Sequence, residues 1–117
     1  MIPGALILAR LQQSDGQIKR RPALILTTMP PYNDLLVCGV SSQLKQEVPG
    51  FDEVISVSAP DFLMSGLKVS SVMRLGMIAT IPRSAALGEL GSISPERLIR
   101  LRDKLANHID SDEGTNR

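Results

Sequence analysis

The stretch Ile18-Lys19-Arg20-Arg21-Pro22-Ala23-Leu24-Ile25-Leu26-Thr27-Thr28 decides the fold class. From Pro22 to Thr28 it is an apolar run of strand length, with Ala23-Leu24-Ile25-Leu26 at its centre. Three cations stand at its mouth. Pro22 fixes its own backbone angle and biases Arg21 toward an extended conformation. Arg21 is thereby placed at the rim of a sheet. A guanidinium is a planar fork that grips phosphate at two points and stays charged at any working pH.

Similar runs lie on both sides. Ala5–Leu11 precedes it, separated by the turn formers Ser14-Asp15-Gly16. Pro30-Pro31-Tyr32-Asn33-Asp34 ends it, and Leu35–Val40 follows, closing in Ser41-Ser42. Val48-Pro49-Gly50 turns the chain into Val54–Val57. Ala59–Ser65 reads as a loop or a short helical turn ended by Gly66. Val69–Ile81 is long and β-rich and is closed by Pro82, and Leu87–Ile93 reads as a last strand. Closely spaced runs rich in Val, Ile and Leu predict a mainly β chain, a small antiparallel barrel or sandwich.

One segment is helical. Ser94 suits an N-cap, Pro95 the first helical position and Glu96 the positive helix start. Leu98, Leu101, Leu105 and Ile109 then form one apolar stripe, with Arg97, Arg100, Asp103, Lys104 and Asn107 on the other side. A helix is expected over about 95–109, closing a single domain over 1–109, with 110–117 as a disordered polar tail.

Composition narrows the function. The chain has 117 residues, enough for one domain, and no apolar run long enough to span a membrane. The N-terminus lacks the basic start and cleavage site of a signal peptide, so a reducing, cytoplasmic setting is expected. One cysteine, Cys38, excludes an internal disulfide and a Cys-rich zinc site, and one histidine, His108, excludes paired-His metal motifs. No metal and no cofactor are expected. Aromatics are 3%, which disfavours a platform of stacked aromatics for reading nucleic acid.

The net charge of +1 is unevenly spread: residues 1–21 carry +3, 22–67 carry −4, 68–83 carry +3 and 84–117 carry −1. If the fold joins the two cationic stretches, they make one patch for phosphate; if not, they are two solvated strand faces. His108 reads as a helix C-terminal cation, Cys38 as a small buried hydrophobe, and Asp52-Glu53 as a carboxylate pair with no second pair beside it. In Val69–Ile81, Met73, Leu75 and Met77 share one face at period two, while Val72, Arg74 and Ile78 contribute to the other. Two partly apolar faces predict a covered surface and a two-fold dimer.

The run Ile18–Leu26 resembles the "RPALVL" element of the PemK/MazF-type toxins of bacterial toxin–antitoxin systems. Gly4…Asp15-Gly16 is similar to that family's first strand and following loop, and Val40-Ser41-Ser42-Gln43 to the end of its third. Val72-Met73-Arg74 resembles its "VVR" strand, and Leu87–Ser94 its "LGRLS" stretch. The ordered set covers about residues 3–109.

The resemblance implies an SH3-like barrel with a C-terminal helix, a homodimer, and metal-independent cleavage of single-stranded RNA. It also implies an antitoxin protein that covers the RNA site. By the same resemblance Arg21 matches the catalytic arginine. Ser41 falls where many members have the active-site threonine, Ser42 where they have serine, and Arg74 matches a second arginine of some members. Lys19, Arg20, Ser42 and Gln43 are then expected to contact substrate. Those members place an aspartate two residues beyond the second arginine, where this chain has Gly76. The first loop lacks the Glu or His of some members and offers Asp15. Two alternatives remain at this point: a toxin of the same architecture that inhibits DNA gyrase without catalysis, and a non-catalytic relative that only binds RNA or a partner.

Overall fold

Residues 1–111 are described by the computed structural model. Six strands carry the chain: β1 (Ala5–Gln12), β2 (Ile18–Met29), β3 (Asp34–Ser41), β4 (Glu53–Ile55), β5 (Ser71–Ile81) and β6 (Ala86–Ser92). A short helix α1 (Phe62–Ser65) precedes β5, and α2 (Pro95–Ser111) ends the described chain. Single 3-10 turns at Leu44–Gln46 and Arg83–Ala85 complete it.

The strands form one sheet in the order β4-β5-β3-β2-β1-β6, every neighbouring pair antiparallel. This is the mainly β architecture that the apolar runs predict. The sheet is not closed by strand pairing, because its edge strands β4 and β6 do not pair with each other. Instead α1 packs against β6 so closely that a β-carbon at Gly91 would overlap the backbone of Met64 and Ser65.

The run Ala23–Leu26 is apolar at every position because both of its faces are buried. Leu24 and Leu26 join Leu6, Val40, Met73 and Leu75 in a core that includes Leu101 of α2. Ala23 and Ile25 join Ile7, Ala9, Val37 and Ile81 in a second core on the opposite face. Each fully buried aliphatic side chain contributes about 1.5–3 kcal/mol. Cys38 is buried, and burial pushes its thiol up to about 12, which removes it from nucleophilic chemistry.

Helix α2 starts where its sequence predicts: the Ser94 hydroxyl accepts from the Arg97 amide at 3.2 Å. It runs two residues past the expected end, so Asp110 and Ser111 are helical; the rest of the expected tail, 112–117, lies outside the described residues. The polar side of this helix carries ion pairs that its periodicity does not show. Arg97 is buried and bridges Asp61 at 2.8 Å and Glu53 at 2.9 Å. Arg100 and Lys104 also reach Glu53, at 3.0 and 3.2 Å. Burial alone would raise the Asp61 carboxyl, but hydrogen bonds from Arg97 and the Ser94 amide hold it down at about 2. Glu53 is likewise lowered: burial opposes the shift, and hydrogen bonds from Arg100 and Lys104 outweigh it.

Strand β5 also departs from simple alternation. One step of β3, from Cys38 to Gly39, spans Ile78 to Arg74 on β5. This bulge leaves Leu75–Met77 without β3 partners, and the Leu75 amide donates instead to the buried Asp52 carboxylate at 2.9 Å. Met73 and Leu75 are therefore buried, whereas Met77 is 41% exposed.

Candidate RNA-binding cleft

The strand order brings the two cationic stretches together. Gly39 of β3 faces Ala23 of β2 on one side and Arg74 of β5 on the other. Continuing the β2–β3 register by two residues sets Arg21 across from Ser41. Directly opposed residues share a face in an antiparallel pair, so Arg21, Ser41 and Arg74 rise from the same side of neighbouring strands. The Gly39 position between them carries no side chain, and a β-carbon there would lie 3.5 Å from that of Met77.

These residues line one cleft of about 960 Å³. Arg21, Ser41, Ser42, Gln43 and Arg74 all line it. Arg21 is exposed, while Ser41 and Arg74 are half-buried. The Ser41 oxygen accepts from the Gln43 amide at 3.0 Å, which leaves its own hydrogen free to donate toward the cleft. Lys19 and Arg20 are exposed on the β1–β2 hairpin but do not line it. Lys19 alternates onto the Arg21 face, opposite Leu11, and Arg20 onto the other, opposite Arg10.

The charge of the lining is one-signed. It includes Arg10, Arg21, Lys68 and Arg74, and no Asp, Glu or His. None of the four makes an ion pair among the described residues, where every salt bridge uses Arg97, Arg100 or Lys104. Asp15 is engaged in its own turn, accepting from the Gln17 amide at 2.9 Å. Gly76 lines the cleft and is exposed, with open space where a side chain would stand. His108 lies elsewhere, with its ring 4.8 Å from that of Phe51. Among the described residues no three His, Cys, Asp or Glu gather where a metal ion could be held. Sequence reading passes over Arg10 and Lys68 as cleft residues. The hairpin register would not have found Arg10, because it sets Arg10 opposite Arg20 and not opposite Arg21.

The family description "PemK-like, MazF-like toxin of type II toxin-antitoxin system" matches residues 2–109. The chain belongs to this family. Its fold agrees with that of solved members. MazF from Deinococcus radiodurans is 24% identical, with a TM-score of 0.69 over 94% of this chain and 96% of that one. Mycobacterium tuberculosis toxin MazF-mt6 is 22% identical, with a TM-score of 0.65 over 91% of this chain and 96% of that one. An endoribonuclease in complex with its cognate antitoxin, from a mycobacterial species, is 14% identical at a TM-score of 0.65, over 94% and 95%. Comparison with curated proteins gave no match. In this PemK/MazF-family chain the cleft lining includes Arg21, Ser41, Ser42, Arg74 and Gly76.

Proposed function

We propose that this chain cuts single-stranded RNA by attack of the substrate's own 2′-hydroxyl on the adjacent phosphorus. The observation that carries the reading is a cleft lined by four cations that make no ion pair among the described residues, and by no described carboxylate, in a chain of a toxin family. The 2′-oxygen forms a bond to phosphorus, the bond to the 5′-oxygen breaks, and the products are a 2′,3′-cyclic phosphate and a free 5′-hydroxyl. Arg21 and Arg74 neutralise the charge that develops on the phosphorane, and Arg21 hydrogen-bonds two of its oxygens. Ser41 donates to one phosphate oxygen and holds the scissile group in line. Ser42 and Gln43 contact the strand beside it, and Lys19 and Arg20 attract it from the hairpin. The 2′-hydroxyl proton passes to solvent, and the 5′-oxygen takes one from water, while Arg21 stays charged throughout.

The functional unit in this reading is a homodimer. Strand β4 covers β5 only over Ser71–Met73 and leaves the other edge of its second half free. That half exposes Met77 and Ile78, at 41% and 43%. An exposed apolar edge of this kind calls for a covering partner, here a second copy. The antitoxin is an acidic segment that fills the same cationic cleft, as suits the likeness in fold to an endoribonuclease solved in complex with its cognate antitoxin. The toxin acts in the cytoplasm, where its substrate is. Among the described residues no helix is long and apolar enough to cross a membrane.

A second reading is supported by one specific observation. The lining includes no His, Cys, Asp or Glu, and Gly76 stands where the family resemblance sets an acid in some members. That favours a relative that grips RNA without cutting it. Incubation of the purified protein with mixed RNA in excess EDTA, with the ends mapped, separates the two. Cleavage with cyclic-phosphate and 5′-hydroxyl ends supports the nuclease. Binding without new ends supports the second reading, and activity that vanishes in EDTA and returns with magnesium overturns the mechanism.

A further inference from the structure

The β1–β2 hairpin projects beyond the sheet. Pairing of β1 with β6 ends at Ala9, and pairing of β2 with β3 begins only at Ala23. Beyond these points the hairpin is a two-stranded arm, and Arg10 stands directly opposite Arg20 on it. Both are exposed, and neither makes an ion pair among the described residues. Like charges directly opposed across an antiparallel pair are destabilising. The one acid of the arm, Asp15, is taken up by the Gln17 amide at 2.9 Å. The arm thus holds a repelling pair of guanidiniums that nothing within it neutralises. Lys19 and Arg21 occupy its other face.

We infer that Arg10 and Arg20 form a second phosphate subsite, which holds a flanking phosphate of the strand whose scissile phosphate lies at Arg21. The inference rests on the RNA reading of the cleft and adds its extent. Arg10 lines the same cleft as Arg21 and Arg74, so one continuous strand can reach both faces of the arm. Gln12 and Gln13 line the cleft beside Arg10 and supply neutral donors and acceptors suited to bases and sugars. A phosphodiester between the two guanidiniums turns their repulsion into a two-sided clamp. The substrate is therefore a strand of several phosphates, held on both sides of the hairpin.

The test uses the full chain and two uncleavable probes: a 2′-deoxy oligonucleotide longer than the cleft, and a dinucleotide with a single phosphate. Binding is followed by fluorescence anisotropy over a salt series. For Arg10→Gln the log–log salt slope on the long strand falls by about 0.7, the value of one lost single-strand phosphate contact. The affinity loss on the long strand exceeds that on the dinucleotide. The thermal midpoint of the free protein does not fall, because the substitution removes a like-charge opposition. Arg21→Ala, by contrast, weakens both probes. An unchanged slope for Arg10→Gln overturns the inference, as does an equal loss on both probes. So does loss of binding to an acidic peptide while the long strand binds as before, which would give the pair to a protein partner. If the wild-type chain binds neither probe, the RNA reading of the cleft falls, and the subsite with it.

Discussion

Two groups of arginines in this chain have opposite fates. Arg97 and Arg100, on one turn of α2, meet Glu53 and Asp61 and are consumed by them. Arg21 and Arg74, on the same face of β2 and β5, make no ion pair among the described residues. The first group ties α2 to β4 and to the approach to α1. The second lines a cleft whose described charges are all positive. The difference teaches that the count of basic residues says little about function. What matters is where the acids go. The segment 22–67 carries −4, yet its Glu53 and Asp61 are spent on the helix, and its Asp52 on the amides of Val48 and Leu75. The segment's other two acids, Asp34 and Glu47, do not line the cleft.

The contrast can be broken most severely at Arg97. Arg97→Ala leaves Asp61 and Glu53 buried with a charge partner missing, a change that costs about 3–5 kcal/mol. Denaturant unfolding should show this loss, while a variant at Arg21, on the surface, should unfold within about 0.5 kcal/mol of the wild type. Equal stability of the Arg97 variant would mean that the buried network is not what holds α2.

A milder probe is acid. The Asp61 carboxyl lies below its unfolded value of 3.8, at about 2 in the fold, so its contribution to stability is present at neutral pH. It is lost as pH falls from about 5 toward 2, because the unfolded chain then binds more protons than the native one. Glu53 is lowered as well and acts with the same sign. Unfolding followed across that range should show stability dropping in the wild type and a flatter profile in an Asp61→Asn variant. The smallest effect belongs to Arg100, whose side chain is 51% exposed. Arg100→Ala should cost about 0.2–1 kcal/mol, less at high salt.

Much of this architecture is legible from local pattern. Ala23–Leu26 reads as a strand because β-branched and aliphatic residues follow without interruption, and Ser94-Pro95-Glu96 reads as a helix start because each residue suits its position. The polar side of α2 is not legible. Periodicity shows that Arg97 leaves the apolar stripe, but its partners lie 36 and 44 residues earlier. The β5 bulge is equally hidden, since Leu75-Gly76-Met77 obeys ordinary alternation and only the register against β3 reveals the extra residues. For the cleft, the residue types at 21, 41 and 74 are readable from the resemblance. Their meeting depends on β3 lying between β2 and β5, a long-range fact that no window of sequence contains.

In the proposed mechanism Arg21, at the rim of β2, handles the scissile phosphate. The direct measurement is single-turnover cleavage of RNA by the wild type, Arg21→Ala, Arg21→Lys and Ser41→Ala, with circular dichroism on each. The account predicts folded proteins throughout and cleavage abolished in Arg21→Ala. Arg21→Lys should recover little, because an ammonium cannot make the two-point contact. Ser41→Ala should lose about 10²–10³ in rate, as for removal of one neutral donor, and so less than Arg21→Ala. A folded Arg21→Ala protein that cuts RNA at the wild-type rate would contradict it.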